Sequence, residues 1–192
     1  TTAGKAYSAA NIKIDSKGVW LTASEMAFCR AEGALAGWSN MGGSAKDLYE
    51  EGVKLSFEQW GAGSATAYLA DNTSTEKNYV DPISEYGGDV SAVSNITIKW
   101  DDSATDEQKM ERLITQKWIA MFPNGQEGWS EIRRTGYPKV FPLAQSTDYS
   151  IQVANRIPFD IDEATNNKAN YIKAVQLLKG NDDYATKMWW QR

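Results

Sequence analysis

Trp20-Leu-Thr-Ala-Ser-Glu-Met-Ala-Phe-Cys-Arg-Ala-Glu32, running on through Leu35 to Gly37-Trp38, decides how the rest of the chain is read. Thr22-Ala-Ser-Glu25 has the form of a capping box: the Thr22 hydroxyl accepts from a free backbone N–H of the first turn, and Glu25 reaches back. Phe28, Ala31, Leu35 and Trp38 then recur at i, i+3, i+7 and i+10, one face of a helix. After the turn Trp38-Ser-Asn-Met-Gly-Gly43, Ser44-Ala-Lys-Asp47 opens a second helix of the same design. That helix carries Tyr49, Val53, Phe57 and Trp60 on one face before Gly61 stops it. Two capped helices across a short turn predict an αα-hairpin, and the small residues Ala31, Ala34 and Gly52 permit close approach, as in tetratricopeptide-like pairs. No second copy follows at fixed period, so the chain has one repeat-like unit.

Downstream the character changes. Residues 64–104 are dominated by Ser, Thr, Asn, Asp and Gly, with Asp81-Pro82 and Gly87-Gly88 as breakers. Within this excursion, Ser94-Asn-Ile-Thr-Ile-Lys-Trp100 alternates and predicts a short strand. A third helix begins at the box Thr105-Asp-Glu-Gln108 and runs to about Phe122, with Met110, Ile114, Trp118 and Met121 facing inward. Pro123-Asn-Gly125 stops it, and a short helix follows over Glu127–Arg134. Lys139 to Phe159 reads as extended, with a strand over Ile151–Ile157, and a last helix spans about Glu163 to Lys179 before Gly180. The expected fold is mainly α: an irregular helical arrangement with a tetratricopeptide-like hairpin, C-terminal helices, long loops and a few short strands. No split within residues 1–192 is indicated.

Composition narrows the function classes. The chain has 192 residues, a net charge of −5 and no histidine. The missing histidine excludes Ser-His-Asp and Cys-His catalytic units and His-based zinc sites within these residues. An acidic chain with scattered Lys and Arg is a poor partner for nucleic acid. Eight Trp and nine Tyr suit cores, interfaces and carbohydrate faces alike. Cys29 is the only cysteine; placed mid-helix beside Phe28, it is expected to pack as a small apolar residue. Asp81, Asp89, Asp101 and Asp102 lack the spacing of a calcium loop, and no cofactor motif is present. The adjacent acids Glu50-Glu51, Asp101-Asp102 and Asp182-Asp183 do not face one another on a helix or strand, so a two-carboxylate glycosidase is poorly supported.

Four segments in order resemble the C-terminal region of the SusD/RagB family. They are the Trp20–Glu32 helix with its Arg-Ala-Glu triplet; Glu127-Gly-Trp-Ser-Glu-Ile-Arg-Arg-Thr-Gly-Tyr-Pro138; Arg156-Ile-Pro-Phe159 with Asn170-Tyr171; and the closing Trp189-Trp190. The second is similar to the family's Trp-x-Glu-x-Arg-Arg-Thr-Gly-x-Pro signature. The resemblance implies a non-catalytic lipoprotein on the surface of a Gram-negative outer membrane, binding oligosaccharides or other nutrients for a TonB-dependent transporter. Family members are longer and carry a lipidated cysteine near their start. Residues 1–192 are therefore expected to be the C-terminal portion of such a protein, without the anchor cysteine and with an N-terminal part of the same polypeptide as partner. If so, the first hairpin should expose an apolar face, with Tyr49, Phe57 and Trp60 as candidates. Two other readings remain: a helical interaction module docking a partner protein, and a glycan hydrolase.

Within the excursion, Tyr68, Tyr79, Tyr86 and Trp100 are the candidate ligand contacts, because sugar C–H faces stack on aromatic planes. Trp129, Glu131, Arg133 and Arg134 belong to a family-wide signature whereas family ligands vary. They are expected to be structural, with Trp129 in the core and the arginines paired to acidic neighbours.

Overall fold

The computed structural model describes residues 7–83, 88–141 and 153–191. Among these, seven helices are found: α1 Ala23–Leu35, α2 Ala45–Trp60, α3 Thr66–Ala70, α4 Asp106–Ala120, α5 Gly125–Thr135, α6 Ile161–Asn166 and α7 Lys168–Leu178. Helix starts follow the hydroxyl caps. Thr22 accepts from the backbone of Glu25 at 3.0 Å and Ser44 from that of Asp47 at 3.1 Å. At Thr105 the reciprocal box with Gln108 forms in full.

The hairpin of α1 and α2 is the frame, and α4 packs across it. Phe28, Ala31, Leu48, Tyr49, Val53, Leu113 and Ile114 are its buried apolar residues, joined by Trp100 and Tyr137. Gly52 is what lets α2 approach: a Cβ there would stand 2.8 Å from the Phe28 ring. Ser24 adds a buried tie, its hydroxyl donating to the Gly52 carbonyl at 2.7 Å. Each large apolar side chain buried here contributes about 1.5–3 kcal/mol, so the hairpin is held by packing with the caps setting its ends.

Several expectations fail in instructive ways. Trp38, Trp60 and Trp118 are not core residues: they are 69%, 49% and 41% exposed. Trp38 lies beyond the end of α1, where Gly37 at φ +79° turns the chain out of the helical period. Trp60 is the last residue of α2, ahead of Gly61 at φ +62°. On α4 the buried stripe includes Glu111, Arg112, Gln116 and Lys117, which turns Trp118 outward. Cys29 is exposed, one step round α1 from the Phe28–Ala31 face. Tyr49, a candidate for an uncovered hairpin face, is fully buried, whereas Trp60 is open.

The Ser94–Trp100 segment is no strand. The Ile98 carbonyl accepts from the Tyr49 hydroxyl at 2.6 Å and the Thr97 carbonyl from Arg112 Nε at 2.9 Å. Side chains of α2 and α4 thus take the groups a neighbouring strand would have used. Among the described residues the β pairing is one isolated antiparallel bridge, Tyr79 with Val90. Of the strand expected over residues 151–157, positions 151 and 152 lie outside the described residues and the remainder forms none. The final helix is divided at Asn167 into α6 and α7, and its left-handed cap is Lys179 at φ +55°, one residue before Gly180. No described helix is long and apolar enough to cross a membrane.

Candidate ligand-binding groove

The excursion does not wander free; it builds one side of a groove of about 590 Å³ whose other side is α4 and the stretch 138–141. Tyr68, in the middle of α3, is set by two contacts. Its ring lies 5.2 Å from that of Phe57, and its hydroxyl donates to Gln116 Oε1 at 3.0 Å. Burial pushes its phenol above the ordinary range, so it enters the groove as a neutral donor and acceptor. Asp71 folds the turn that follows, accepting from Ser74 and Thr73. Those hydrogen bonds, the Ser74 ones foremost, hold its carboxyl far below the usual range.

Glu76 fastens the far bank, its Oε2 accepting from the backbone of Val93 at 2.7 Å and of Ser94 at 2.9 Å. Ser94 in turn donates to Glu111 Oε1 at 2.6 Å. The buried Glu111 also holds Lys139 Nζ at 3.0 Å. Both acids beside the groove therefore already accept hydrogen bonds. Ile96, Ile98, Trp118, Ile119, Val140 and Phe141 supply the apolar walls, and Thr75 and Thr115 add hydroxyl groups. Such a surface is suited to noncovalent capture of a ligand with apolar faces and hydroxyl edges.

The four sequence candidates separate. Tyr68 lines the groove. Tyr79 is 36% exposed, and its ring lies 6.2 Å from Phe141, a wall residue. Trp100 is a core residue, 7% exposed, with its ring 5.2 Å from Tyr49 and its indole N–H on Asp102 at 3.0 Å. It offers no open platform, which corrects the expectation of a ligand contact. Tyr86 lies outside the described residues. Sequence reading missed Phe141, Lys139 and the isoleucine pair. The signal was present, since Ile96 and Ile98 alternate; the alternation marks one face lining a groove, not a half-buried strand.

The Trp129–Arg134 segment stands away from this groove and acts as a bracket. Trp129 is half-buried and its indole N–H donates to the Ala154 carbonyl at 2.6 Å. Arg133 lies 3.6 Å from the Trp129 ring centroid and 4.9 Å from that of Trp190, and donates to the Asn155 carbonyl at 3.2 Å. Arg134 forks onto both oxygens of Glu32 and also reaches Glu131, joining α5 to α1. Burial works against its charge, but the two carboxylates outweigh this and raise its basicity further. The adjacent acids also have local partners: Asp102 takes the Trp100 N–H, Asp101 closes a turn at Ser103, and Asp182 binds Arg156. Among the described residues, no three His, Cys, Asp or Glu side chains come together as a metal site.

A family model described as "SusD-like: Susd and RagB outer membrane lipoprotein" matches residues 1–191. Among solved structures, a SusD homologue from Bacteroides uniformis is 43% identical, with a TM-score of 0.84 over 95% of this chain and 38% of its own. A SusD-like protein from Bacteroides thetaiotaomicron is 49% identical, with a TM-score of 0.79 over 88% of this chain and 36% of its own. A chitin-binding SusD homologue from Flavobacterium johnsoniae is 46% identical, with a TM-score of 0.77 over 89% of this chain and 36% of its own. The chain thus spans under two-fifths of the length of these relatives. No curated protein matches.

Proposed function

Because the chain belongs to the SusD-like family of outer-membrane lipoproteins, we propose that it forms part of a cell-surface protein that captures oligosaccharides without a covalent step and passes them to a TonB-dependent transporter. The observation that carries this reading is the groove beside α4. It joins apolar and aromatic walls to a polar rim, and its two flanking carboxylates are already engaged by Ser94, Lys139 and backbone N–H groups. A glycosidase needs two carboxyl groups poised on either side of a scissile bond, and a pair occupied in holding loops together is poorly placed for that. The chitin-binding relative makes chito-oligosaccharides the first ligands to try.

Titration calorimetry with chito-oligosaccharides should give saturable heat, and chromatography afterwards should return sugars of unchanged length. Phe141→Ala removes a ring wall worth about 0.5–1.5 kcal/mol in aromatic contact alone. Binding should therefore weaken by up to about tenfold. Equal affinity in that variant would move the binding surface elsewhere, and shortened sugars would revive the hydrolase reading. A second reading, docking of a partner polypeptide, is favoured by a separate apolar cavity at the ends of α2 and α4. The two readings are compatible if the partner is the rest of the same SusD-like polypeptide.

A further inference from the structure

Gln116 is the most deeply buried polar side chain of the groove lining, 8% exposed. It stands on α4 three residues before Ile119, on the same helical face, and both line the groove. Its Oε1 is taken by the Tyr68 hydroxyl at 3.0 Å. Among the described residues its Nε2 has no hydrogen-bond partner. Among those residues too, the orphaned side-chain atoms sealed from solvent are Arg112 Nη1 and Arg133 Nε. Gln116 Nε2 is not one of them, so it keeps an opening, and the opening this side chain lines is the groove.

The polar groups around it are already engaged. Glu76 Oε2 holds the backbone of Val93 and Ser94, the Thr115 hydroxyl donates to the Glu111 carbonyl at 2.6 Å, and Lys139 sits on Glu111. What the groove offers deep inside is one uncharged N–H donor between the Tyr68 phenol and an aliphatic wall. A buried donor without an acceptor is unfavourable. The ligand that fits best therefore brings an acceptor oxygen down to Nε2 and an apolar group to lie beside it.

We propose that Gln116 is the residue by which the groove selects sugars bearing an acetamido group, its Nε2 donating to the acetamido carbonyl while the methyl lies against Ile119. The proposal rests on the glycan-capture reading above and deepens it by naming the group on the sugar that is recognised. An amide carbonyl only accepts, so it matches a lone donor, and the methyl suits the aliphatic wall. In a trans amide the N–H points opposite to the carbonyl, hence here toward the mouth of the groove and water. A hydroxyl on the same ring carbon is shorter by an acetyl group and leaves Nε2 unpaired. Such a hydroxyl pressed against the aliphatic wall would also lose water without a partner for its own proton. A site with a buried hydrogen-bonding group discriminates against the analogue that leaves that group unpaired.

Calorimetric titration of the mature protein, as the bacterium makes it, with chito- and cello-oligosaccharides of equal length tests this. The two share backbone and linkage and differ in an acetamido group or a hydroxyl on the second ring carbon. The chito-oligosaccharide should bind about five- to tenfold more tightly, the worth of one hydrogen bond. Gln116→Met keeps the volume and Gln116→Glu keeps an acceptor for Tyr68, but both remove the donor. In each the preference should fall toward one. Equal affinity for the two sugars in the native protein overturns the proposal and leaves glycan capture standing. So does an unchanged preference in either variant, once native near-ultraviolet circular dichroism shows that it has folded. Should one variant not fold, the other and the native comparison still decide. No heat from either sugar overturns the capture reading and this proposal with it.

Discussion

Lys117 and Glu131 meet at 2.9 Å with side chains only 5% and 9% exposed. Burial alone would push the Glu131 carboxyl up, but Arg134 and Lys117 overcome it and hold the group below its ordinary range. Burial likewise pulls the Lys117 ammonium down, and Glu131 outweighs it in the other direction. Removing one member of such a pair strands a buried charge and costs about 3–5 kcal/mol, whereas replacing both with apolar groups is often neutral. Glu131→Gln should therefore lower the urea midpoint sharply, and Lys117→Met combined with Glu131→Leu should recover most of the loss. The pH dependence has two limbs. A depressed carboxyl adds stability that is present above its unfolded pKa, about 4.3, and lost as pH falls through the folded value; a raised lysine adds stability that is complete below about 10.4 and lost as pH rises through its own. Midpoints followed from pH 7 downward should hold to about pH 5 and then fall, more steeply in the native protein than in the apolar double variant. Hydrophobic periodicity could not have found this pair. It placed Trp118 inward, and a lysine buried along its stem with a carboxylate at its tip leaves no apolar signal.

At the scale of elements, helix starts were legible wherever a hydroxyl cap opened them, at Thr22, Ser44 and Thr105. Sequence pattern alone starts α5 two residues late, because Pro123-Asn-Gly125 reads as a stop. Asn124 in fact caps the next helix, accepting from the Glu127 N–H at 3.4 Å. Two glycines of the hairpin, Gly52 where α2 meets α1 and Gly33 where α1 meets the connecting turn, respond differently to a methyl group. At Gly52 the new Cβ would meet the Phe28 ring at 2.8 Å, and Phe28 is fully buried with no room to turn. Overpacking there costs about 1–3 kcal/mol against a helix-propensity gain of about 1 kcal/mol, so Gly52→Ala should destabilise. At Gly33 the nearest atom is Met41 Sδ at 2.6 Å, the end of a flexible, partly exposed side chain that can swing aside. Gly33→Ala should thus be near neutral, its propensity gain offsetting a small displacement. Thermal melts of the two variants side by side check this. Equal losses would mean that Met41 is as fixed as Phe28.

Across the whole molecule the apolar surface is unevenly covered. The hairpin and α4 hold the core, while α6 and α7 bury no residue fully and pack chiefly on each other. The residues that carried the family resemblance reveal what secures this lobe. Trp129 and Arg133 grip the backbone at Ala154 and Asn155. Arg156, 6% exposed, holds Asp182, which also accepts from the Phe159 N–H at 3.1 Å. The motif was legible as a string; its role as a bracket for the C-terminal lobe required the contacts across residues 129–190. With so little apolar burial in reserve, the lobe should open independently of the hairpin when its polar ties are cut. Burial raises the Asp182 carboxyl, but Arg156 and the Phe159 N–H prevail and leave it below the ordinary range. Its contribution is accordingly present above the unfolded pKa of about 3.9 and lost as pH falls through the folded value. Asp182→Asn imposes much the same loss at neutral pH and leaves the Arg156 charge without its counter-ion. Hydrogen exchange read by mass spectrometry should then show protection falling across α6, α7 and residues 184–190, with α1, α2 and α4 unchanged. If protection instead falls evenly everywhere, the lobe and the hairpin fold as one cooperative unit, and the bracket at Trp129–Arg134 transmits stability in both directions.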